Sequence, residues 1–256
     1  MILESYPDPE TVAAKAVDYL LAAADEAIKA RGKFCVALAG GSTPRLVHRA
    51  LAIDRRLTDE VLAKTHFFWG DERNVPPTDP DSNIRMALET LLAPRRVPRS
   101  NIHPPRAIGE NLDAEALRYE IEIKKHAPLS PSGHPRLDLV FLGMGTDGHT
   151  ASLFPGTRAL DEKFRTFVAN DVPQLATKRV TLTLGAINAA GTVLILVTGK
   201  DKAGMLDLVS PPTATPKPRY PVQLVRGNGS NVRLLADHAA TSRMTTEQRR
   251  FYKIDF

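Results

Sequence analysis

The chain has little cysteine and no long apolar run. It holds a single cysteine among 256 residues, one tryptophan, and only 6% aromatic residues in all. The single thiol, Cys35, excludes an internal disulfide framework and favours a reducing compartment. No stretch of about 18 apolar residues is present, and no charged start is followed by an apolar segment. The sequence therefore predicts a cytoplasmic protein that neither enters a membrane nor is secreted.

The charge of the chain is moderately positive, at a formal +5. Basic pairs such as Arg55-Arg56 and Arg95-Arg96 lie in separate segments, without a nucleic-acid-binding motif and without aromatic residues interleaved among them. We therefore expect no nucleic-acid partner. A positive surface would instead help to gather a phosphorylated, anionic small molecule.

Hydrophobic periodicity indicates alternating strands and helices. A chain that is 43% hydrophobic can bury one substantial core, and we expect one domain over residues 1–256. A long helix is predicted over 11–30, and short apolar strands over 34–39, 66–69, 137–142, 166–169, 180–184 and 193–198. This order predicts an α/β fold in which a mostly parallel sheet carries helices on both faces.

A glycine-rich segment, 143–155, follows the predicted strand 137–142 and places Asp147 two residues before His149. Glycine allows a sharp turn, and α/β sheets bind ligands at the carboxyl ends of their strands. A histidine there can take a proton from water near neutral pH, while a carboxylate fixes its tautomer. Both residues are catalytic candidates. The alternative is an ordinary turn with a solvated histidine. A dinucleotide site is disfavoured because the segment lies mid-chain and the next predicted strand, 166–169, follows an irregular stretch and not a clear crossover helix.

A second glycine turn follows the predicted strand 34–39, with the sequence Gly40-Gly41-Ser42-Thr43-Pro44. Thr43 suits a helix N-cap and Pro44 the first helical position. Backbone N–H groups, the two hydroxyls and the helix dipole would then hold a phosphate. The alternative is a capped strand-to-helix turn without a ligand.

A charged cluster, Asp71-Glu72-Arg73, follows the aromatic strand 66–69. These three side chains cannot all belong to a core. We expect Glu72 to be solvated and the planar guanidinium of Arg73 to face a carbonyl oxygen or a carboxylate. A helix over 82–92 is predicted to follow, with Ser82 as its cap.

Five segments together resemble the family of 6-phosphogluconolactonases and glucosamine-6-phosphate deaminases: 39–44, 69–73 with 82–83, 143–155, 179–183 and 199–203. The resemblance implies a Rossmann-like, three-layer fold of the deaminase type. It also implies hydrolysis of 6-phospho-D-glucono-1,5-lactone to 6-phospho-D-gluconate in the oxidative pentose phosphate pathway, without a metal or organic cofactor. The expected partner is this phosphosugar lactone, and the expected state is a monomer or weak homodimer.

The resemblance also assigns roles to residues. His149, oriented by Asp147, would act as the base, and Arg73 would stabilise the oxyanion. Arg179 would grip the phosphate. Lys200 and Lys202 lie at a predicted helix N-terminus, where the helix dipole disfavours cations unless an anion is bound between them. The resemblance favours Lys202 of the two as the second cation. The substrate-binding set is completed by Gly40, Gly41, Ser42, Thr43 and Asp71.

Two other functions remain open from the sequence. By the resemblance, deaminases carry a glutamate where this chain has Phe154 and an aromatic residue where it has Arg73, although Asp71 matches their proton-transfer base. A non-catalytic sugar-phosphate sensor would not need His149 and Asp147.

Two other kinds of catalytic site are excluded by missing motifs. The chain has no Gly-x-Ser-x-Gly elbow, which a serine nucleophile of this kind would need. None of the seven histidines forms a His-x-x-x-His pair, so no metal ligands are predicted.

Overall fold

Two β-sheets organise the chain in a computed structural model that describes residues 1–210, 220–227 and 231–254. The large sheet is parallel throughout. Its strands lie in the spatial order β1 (Ile2–Tyr6), β9 (Asn231–Asp237), β8 (Thr192–Val197), β5 (Leu139–Gly143), β2 (Phe34–Leu38) and β3 (Thr65–Trp69). The small sheet is antiparallel and consists of β4 (Asp71–Arg73), β7 (Thr177–Leu182) and β6 (Phe167–Val172).

Helices connect most of these strands. The described helices are α1 (Pro9–Arg31), α2 (Ser42–Ile53), α3 (Asp59–Ala63), α4 (Asn83–Ala87), α5 (Leu112–His126), α6 (Leu184–Ala189), α7 (Ala203–Val209) and α8 (Thr246–Tyr252). A π-helical turn, Leu88–Leu92, continues α4. As predicted, the Ser82 hydroxyl caps α4, accepting from the backbone N–H of Arg85. Within the described part of the chain, no helix is long and apolar enough to cross a membrane.

The core has two halves, one on each face of the large sheet. Every residue of β2 is buried. Phe34, Val36 and Leu38 pack with α1 and α2, while Cys35 and Ala37 face the half that contains α5, α6 and α7. This alternation follows from the period of two along a strand. The predicted α/β fold, a parallel sheet with helices on both faces, is confirmed.

The predicted strands near 166–169 and 180–184 do form, but they do not join the parallel sheet. They are β6 and β7, which pair antiparallel with each other, and β7 also pairs antiparallel with β4. The physical reason is their connection, a short 3₁₀ turn over Pro173–Leu175 that ends at Ala176 with φ 46°. A parallel pair requires a long crossover, usually a helix, and no such segment lies between them. Two strands of the large sheet, β1 and β9, were not predicted.

Candidate active site

A cleft of about 280 Å³ lies at the carboxyl ends of β2, β5 and β8, beside the small sheet. Nine of the ten predicted site residues line it: Gly40, Gly41, Ser42, Thr43, Asp71, Arg73, His149, Arg179 and Lys202. The tenth, Asp147, contacts the cleft residue His149. The fold therefore brings together residues from five segments of the sequence at the edge where α/β sheets bind ligands.

The imidazole of His149 is held on two sides. Its Nδ1 lies 2.6 Å from Oδ1 of Asp147, and its ring stacks on Phe154 with 4.0 Å between centroids. A carboxylate can only accept, so the neutral ring carries its proton on Nδ1 and its lone pair on Nε2. Gly145 makes this arrangement possible, because a Cβ there would lie 2.1 Å from Nδ1 of His149.

Asp147 is an anion supported by the same turn. Burial alone would raise the pKa of its carboxyl group. The backbone N–H of His149, which donates to Oδ1 at 3.1 Å, and the imidazole itself outweigh burial and hold that pKa below its usual range. Gly148 turns the chain between the two residues with φ 78°, a value that favours glycine. The carboxylate of Asp147 thus fixes the orientation of the His149 ring.

The helix start beside the cleft differs from the prediction. Helix α2 begins at Ser42 with Gly41 as its N-cap, and Gly41 has φ 104°. Thr43 is not the cap, because it already lies in the first turn, where its buried hydroxyl is 2.6 Å from that of Thr198. Gly40 has no room for a side chain, since a Cβ would lie 1.8 Å from Oδ1 of Asn83. The N-terminus of this twelve-residue helix nevertheless borders the cleft and can bind an anion.

Two arginines from the small sheet border the cleft together. Arg73 on β4 is the direct cross-strand partner of Arg179 on β7. Arg73 also donates to the carbonyl oxygen of Asp81. Burial and then the charge of Arg73 lower the pKa of the Arg179 guanidinium. Like charges placed directly opposite each other are unfavourable, so this arrangement is suited to a bound anion.

Lys202 and Lys200 belong to a 3₁₀ turn, Lys200–Lys202, that precedes α7. Of the two, only Lys202 lines the cleft. Its Nζ lies 3.3 Å from Oδ2 of Asp201. The placement agrees with the choice of Lys202 over Lys200, and its role in phosphate binding stays a prediction.

Asp71 is buried and accepts hydrogen bonds from two side chains to which the sequence assigned no role. The hydroxyl of Ser152 donates to Oδ2 of Asp71 at 2.6 Å, and Nδ2 of Asn83 donates to its carbonyl oxygen at 3.0 Å. Asn83 and Thr198 also line the cleft. The two donors lie in the motif segments 82–83 and 143–155, but only the fold shows which residue each of them contacts.

Glu72 was expected to be solvated, and this expectation is wrong. Its side chain is buried and accepts from the backbone N–H groups of Arg73, Asn83 and Ile84 at 2.8–2.9 Å. The hydroxyl of Ser82 is a fourth donor at 3.0 Å. Burial raises the pKa of Glu72, although these N–H donors oppose the shift. The carboxylate fills the N-terminus of α4 and so fixes the strand that carries Arg73.

The fold and the cleft together define an α/β protein with two arginines, a lysine and a histidine–aspartate pair at one edge of its sheet. A family model described as glucosamine-6-phosphate isomerases/6-phosphogluconolactonase matches residues 7–234. The chain belongs to this family. The predicted membership, and with it an enzyme of the 6-phosphogluconolactonase type, is confirmed.

Individual relatives support the same placement. The 6-phosphogluconolactonase of Nostoc sp. is 37% identical over 243 residues, which cover 95% of this chain and 98% of the relative. That of Mycobacterium tuberculosis is 37% identical and covers 83% of this chain and 90% of its own. The structure of 6-phosphogluconolactonase from Trypanosoma cruzi superposes with a TM-score of 0.84 at 27% identity, covering 95% of this chain and 97% of its own.

Proposed function

We propose that this protein hydrolyses 6-phospho-D-glucono-1,5-lactone to 6-phospho-D-gluconate in the oxidative pentose phosphate pathway, by histidine-assisted attack of water. The observation that carries the proposal is the 2.6 Å contact between His149 and Asp147 at a cleft that two arginines also line. This set supplies a proton acceptor and cations for an anionic substrate. The relatives named 6-phosphogluconolactonase support the choice of substrate.

In the proposed reaction, Nε2 of His149 takes a proton from water as the water oxygen bonds to C1 of the lactone. The carbonyl electrons move to oxygen, and the guanidinium of Arg73 stabilises the resulting oxyanion. The tetrahedral intermediate then collapses, the bond from C1 to the ring oxygen breaks, and protonated His149 returns its proton to that oxygen. Asp147 stabilises the imidazolium between these steps.

The phosphate would bind where the cations and free N–H groups converge. We assign this role to the N-terminus of α2, with Gly40, Gly41, Ser42 and Thr43, and to Arg179 and Lys202. All six line the cleft, and charge-assisted contacts to phosphate are the strong kind of hydrogen bond. An acidic side chain disfavours a neighbouring phosphate, so Asp71, which accepts from Ser152 through Oδ2, suits a hydroxyl group of the sugar better.

The decisive experiment follows lactone disappearance, corrected for spontaneous hydrolysis, with wild-type protein and with His149→Ala. We expect the variant to lose about 10²- to 10⁴-fold in kcat with little change in substrate affinity. His126→Gln is the matched control, because it alters a histidine that does not line the cleft. Normal turnover by folded His149→Ala would remove the proposed base.

The same samples separate the other two functions. A deaminase would release ammonia from glucosamine 6-phosphate and depend chiefly on Asp71, whose buried carboxylate borders the cleft. One observation disfavours a deaminase. By the resemblance, deaminases carry a ring-opening glutamate at position 154, whereas in this chain Phe154 stacks on the ring of His149. A sensor would bind 6-phosphogluconate without accelerating lactone hydrolysis. Either result would overturn the proposal.

A further inference from the structure

Three histidines form a cluster outside the cleft. His66 lies in β3, the edge strand of the large sheet, His103 follows a 3₁₀ turn, and His126 ends α5. One ring nitrogen from each lies within 4.8 Å of the others. Nδ1 of His66 and Nε2 of His103 are 3.0 Å apart. Within the described residues this is the one group of three or more histidine, cysteine or acidic side chains arranged so that it could hold a metal ion.

A carboxylate orients the most buried of these rings. His103 directs Nε2 toward His66, and its other nitrogen, Nδ1, lies 3.1 Å from Oε1 of Glu122. Glu122 is itself held by Lys125, whose Nζ is 3.0 Å from Oε2. Histidines that bind metals almost always donate their second N–H to a carboxylate, a carbonyl or water, which fixes the tautomer that ligates. The contact between Nδ1 of His103 and Glu122 has this geometry and leaves Nε2 of His103 as the ring nitrogen able to bind a metal.

We propose that His66, His103 and His126 bind one divalent transition-metal ion, with zinc as the best fit, and that Glu122 supports the site without ligating it. Imidazole suits zinc, nickel and copper, whereas magnesium and calcium prefer oxygen. Bonds of about 2.0–2.1 Å put the nitrogens of a tetrahedral site about 3.4 Å apart. The 3.0 Å pair is near this value. The ring of His126, whose Nε2 lies 3.3 Å from Oε1 of Glu122, would have to move closer to this pair to complete the site.

The cluster lies apart from the proposed catalytic cleft. His66 lies near the start of β3, while the cleft is at the carboxyl ends of the strands. An ion there would join the edge strand to the segment around His103 and to the end of α5. The spacing rules applied to the sequence could not reveal it, because His66 and His103 are 37 residues apart. The proposal does not depend on the lactonase function.

The test titrates zinc, and cobalt as a coloured substitute, into full-length protein freed of metal with a chelator. We expect one equivalent to bind and to raise Tm by about 5 °C when free zinc is 100-fold above Kd. His126→Gln, and separately His66→Gln, should weaken binding at least tenfold, and Glu122→Gln about 10- to 100-fold. His149→Ala is the matched control and should bind zinc normally, while His126→Gln should retain wild-type catalysis.

Two results would overturn the proposal. Absence of saturable zinc binding by the wild-type protein would leave the cluster as a hydrogen-bonded histidine network. Loss of binding in His149→Ala but not in His126→Gln or His66→Gln would place the ion in the cleft instead. Far-ultraviolet circular dichroism of each variant establishes that a loss of binding is not a loss of folding.

Discussion

Replacing Asp147 by asparagine isolates the charge of the carboxylate from its geometry. Oδ1 of Asp147 accepts from Nδ1 of His149 at 2.6 Å and from the backbone N–H of His149 at 3.1 Å. The amide oxygen of asparagine can accept both hydrogen bonds in the same place. What the variant lacks is the negative charge that stabilises the imidazolium once His149 has taken its proton. The change therefore acts on the transition state more than on substrate binding.

The size of the effect follows from the environment of the carboxylate. A hydrogen bond to a charged group contributes about 1.5–3 kcal/mol, against about 0.5–1.5 kcal/mol for a neutral one. The side chain of Asp147 is 45% exposed, so solvent screens part of the difference. The difference of about 1–1.5 kcal/mol corresponds to about 5- to 13-fold in rate, so after this screening we expect kcat to fall by about 3- to 10-fold, with KM changed little. A much larger loss would indicate that the amide had turned its NH₂ toward Nδ1 and reversed the tautomer.

The assay measures initial rates of lactone hydrolysis over a range of substrate concentrations, after subtraction of the spontaneous rate. Asp171→Asn is the matched control, because it makes the same change of net charge at a side chain that is 73% exposed and does not line the cleft. If folded Asp147→Asn kept its kcat within twofold of the wild-type value, the carboxylate would have no part in stabilising the imidazolium. An equal loss in Asp171→Asn would show a general charge effect instead.

Three further outcomes are expected. Arg179→Ala and Lys202→Ala should each raise KM for the phosphorylated lactone about 10- to 100-fold and leave KM for unphosphorylated gluconolactone unchanged. Lys200→Ala is the control and should change neither value. Equal losses on both substrates would contradict phosphate binding. Arg73→Lys should lower kcat about tenfold or more despite the conserved charge, because an ammonium lacks the fork of donors. Glu72→Gln should lower the free energy of unfolding by about 1–3 kcal/mol in urea titrations, because the amide cannot accept from all four donors.

The parts of the site that could be predicted are those formed by residues close together in the sequence. A glycine turn directly after a buried strand fixes both the direction of the chain and the edge of the sheet at which it lies. For this reason the turns at Gly40 and Gly143, and the pairing of Asp147 with His149, could be placed from local sequence. The predicted cap at Thr43 was wrong because Gly41, with its positive φ of 104°, is the N-cap and the helix begins earlier, at Ser42.

The parts that could not be predicted depend on pairings between distant segments. The burial of Glu72 is determined by the N-terminus of α4, about ten residues away, whose N–H groups need an acceptor. The small sheet depends on a three-residue strand, β4, that is too short to show any periodicity. Ser152 and Asp71 lie 81 residues apart. Such contacts become visible only when the topology is known.

One buried glycine explains how the two sheets come to share a cleft. Gly70 is the only residue between β3 and β4. Its N–H donates to the carbonyl oxygen of Leu38 in the large sheet, and its own carbonyl oxygen accepts from Leu182 in the small sheet, both at 2.8 Å. The strand therefore leaves one sheet and enters the other without a loop that could move. This connection fixes the position of Arg73 relative to the end of β2.

The loop that carries His149 is tied to the same small sheet. The hydroxyl of Ser152 donates to Asp71 on β4, and the backbone N–H of Ser152 donates to the hydroxyl of Thr181 on β7. Both hydrogen bonds are buried, where the loss of a partner is costly. The proposed base and the proposed oxyanion partner, Arg73, thus come from different sheets but are joined by short, buried contacts. These contacts therefore hold the loop that carries His149 in a fixed position relative to the small sheet.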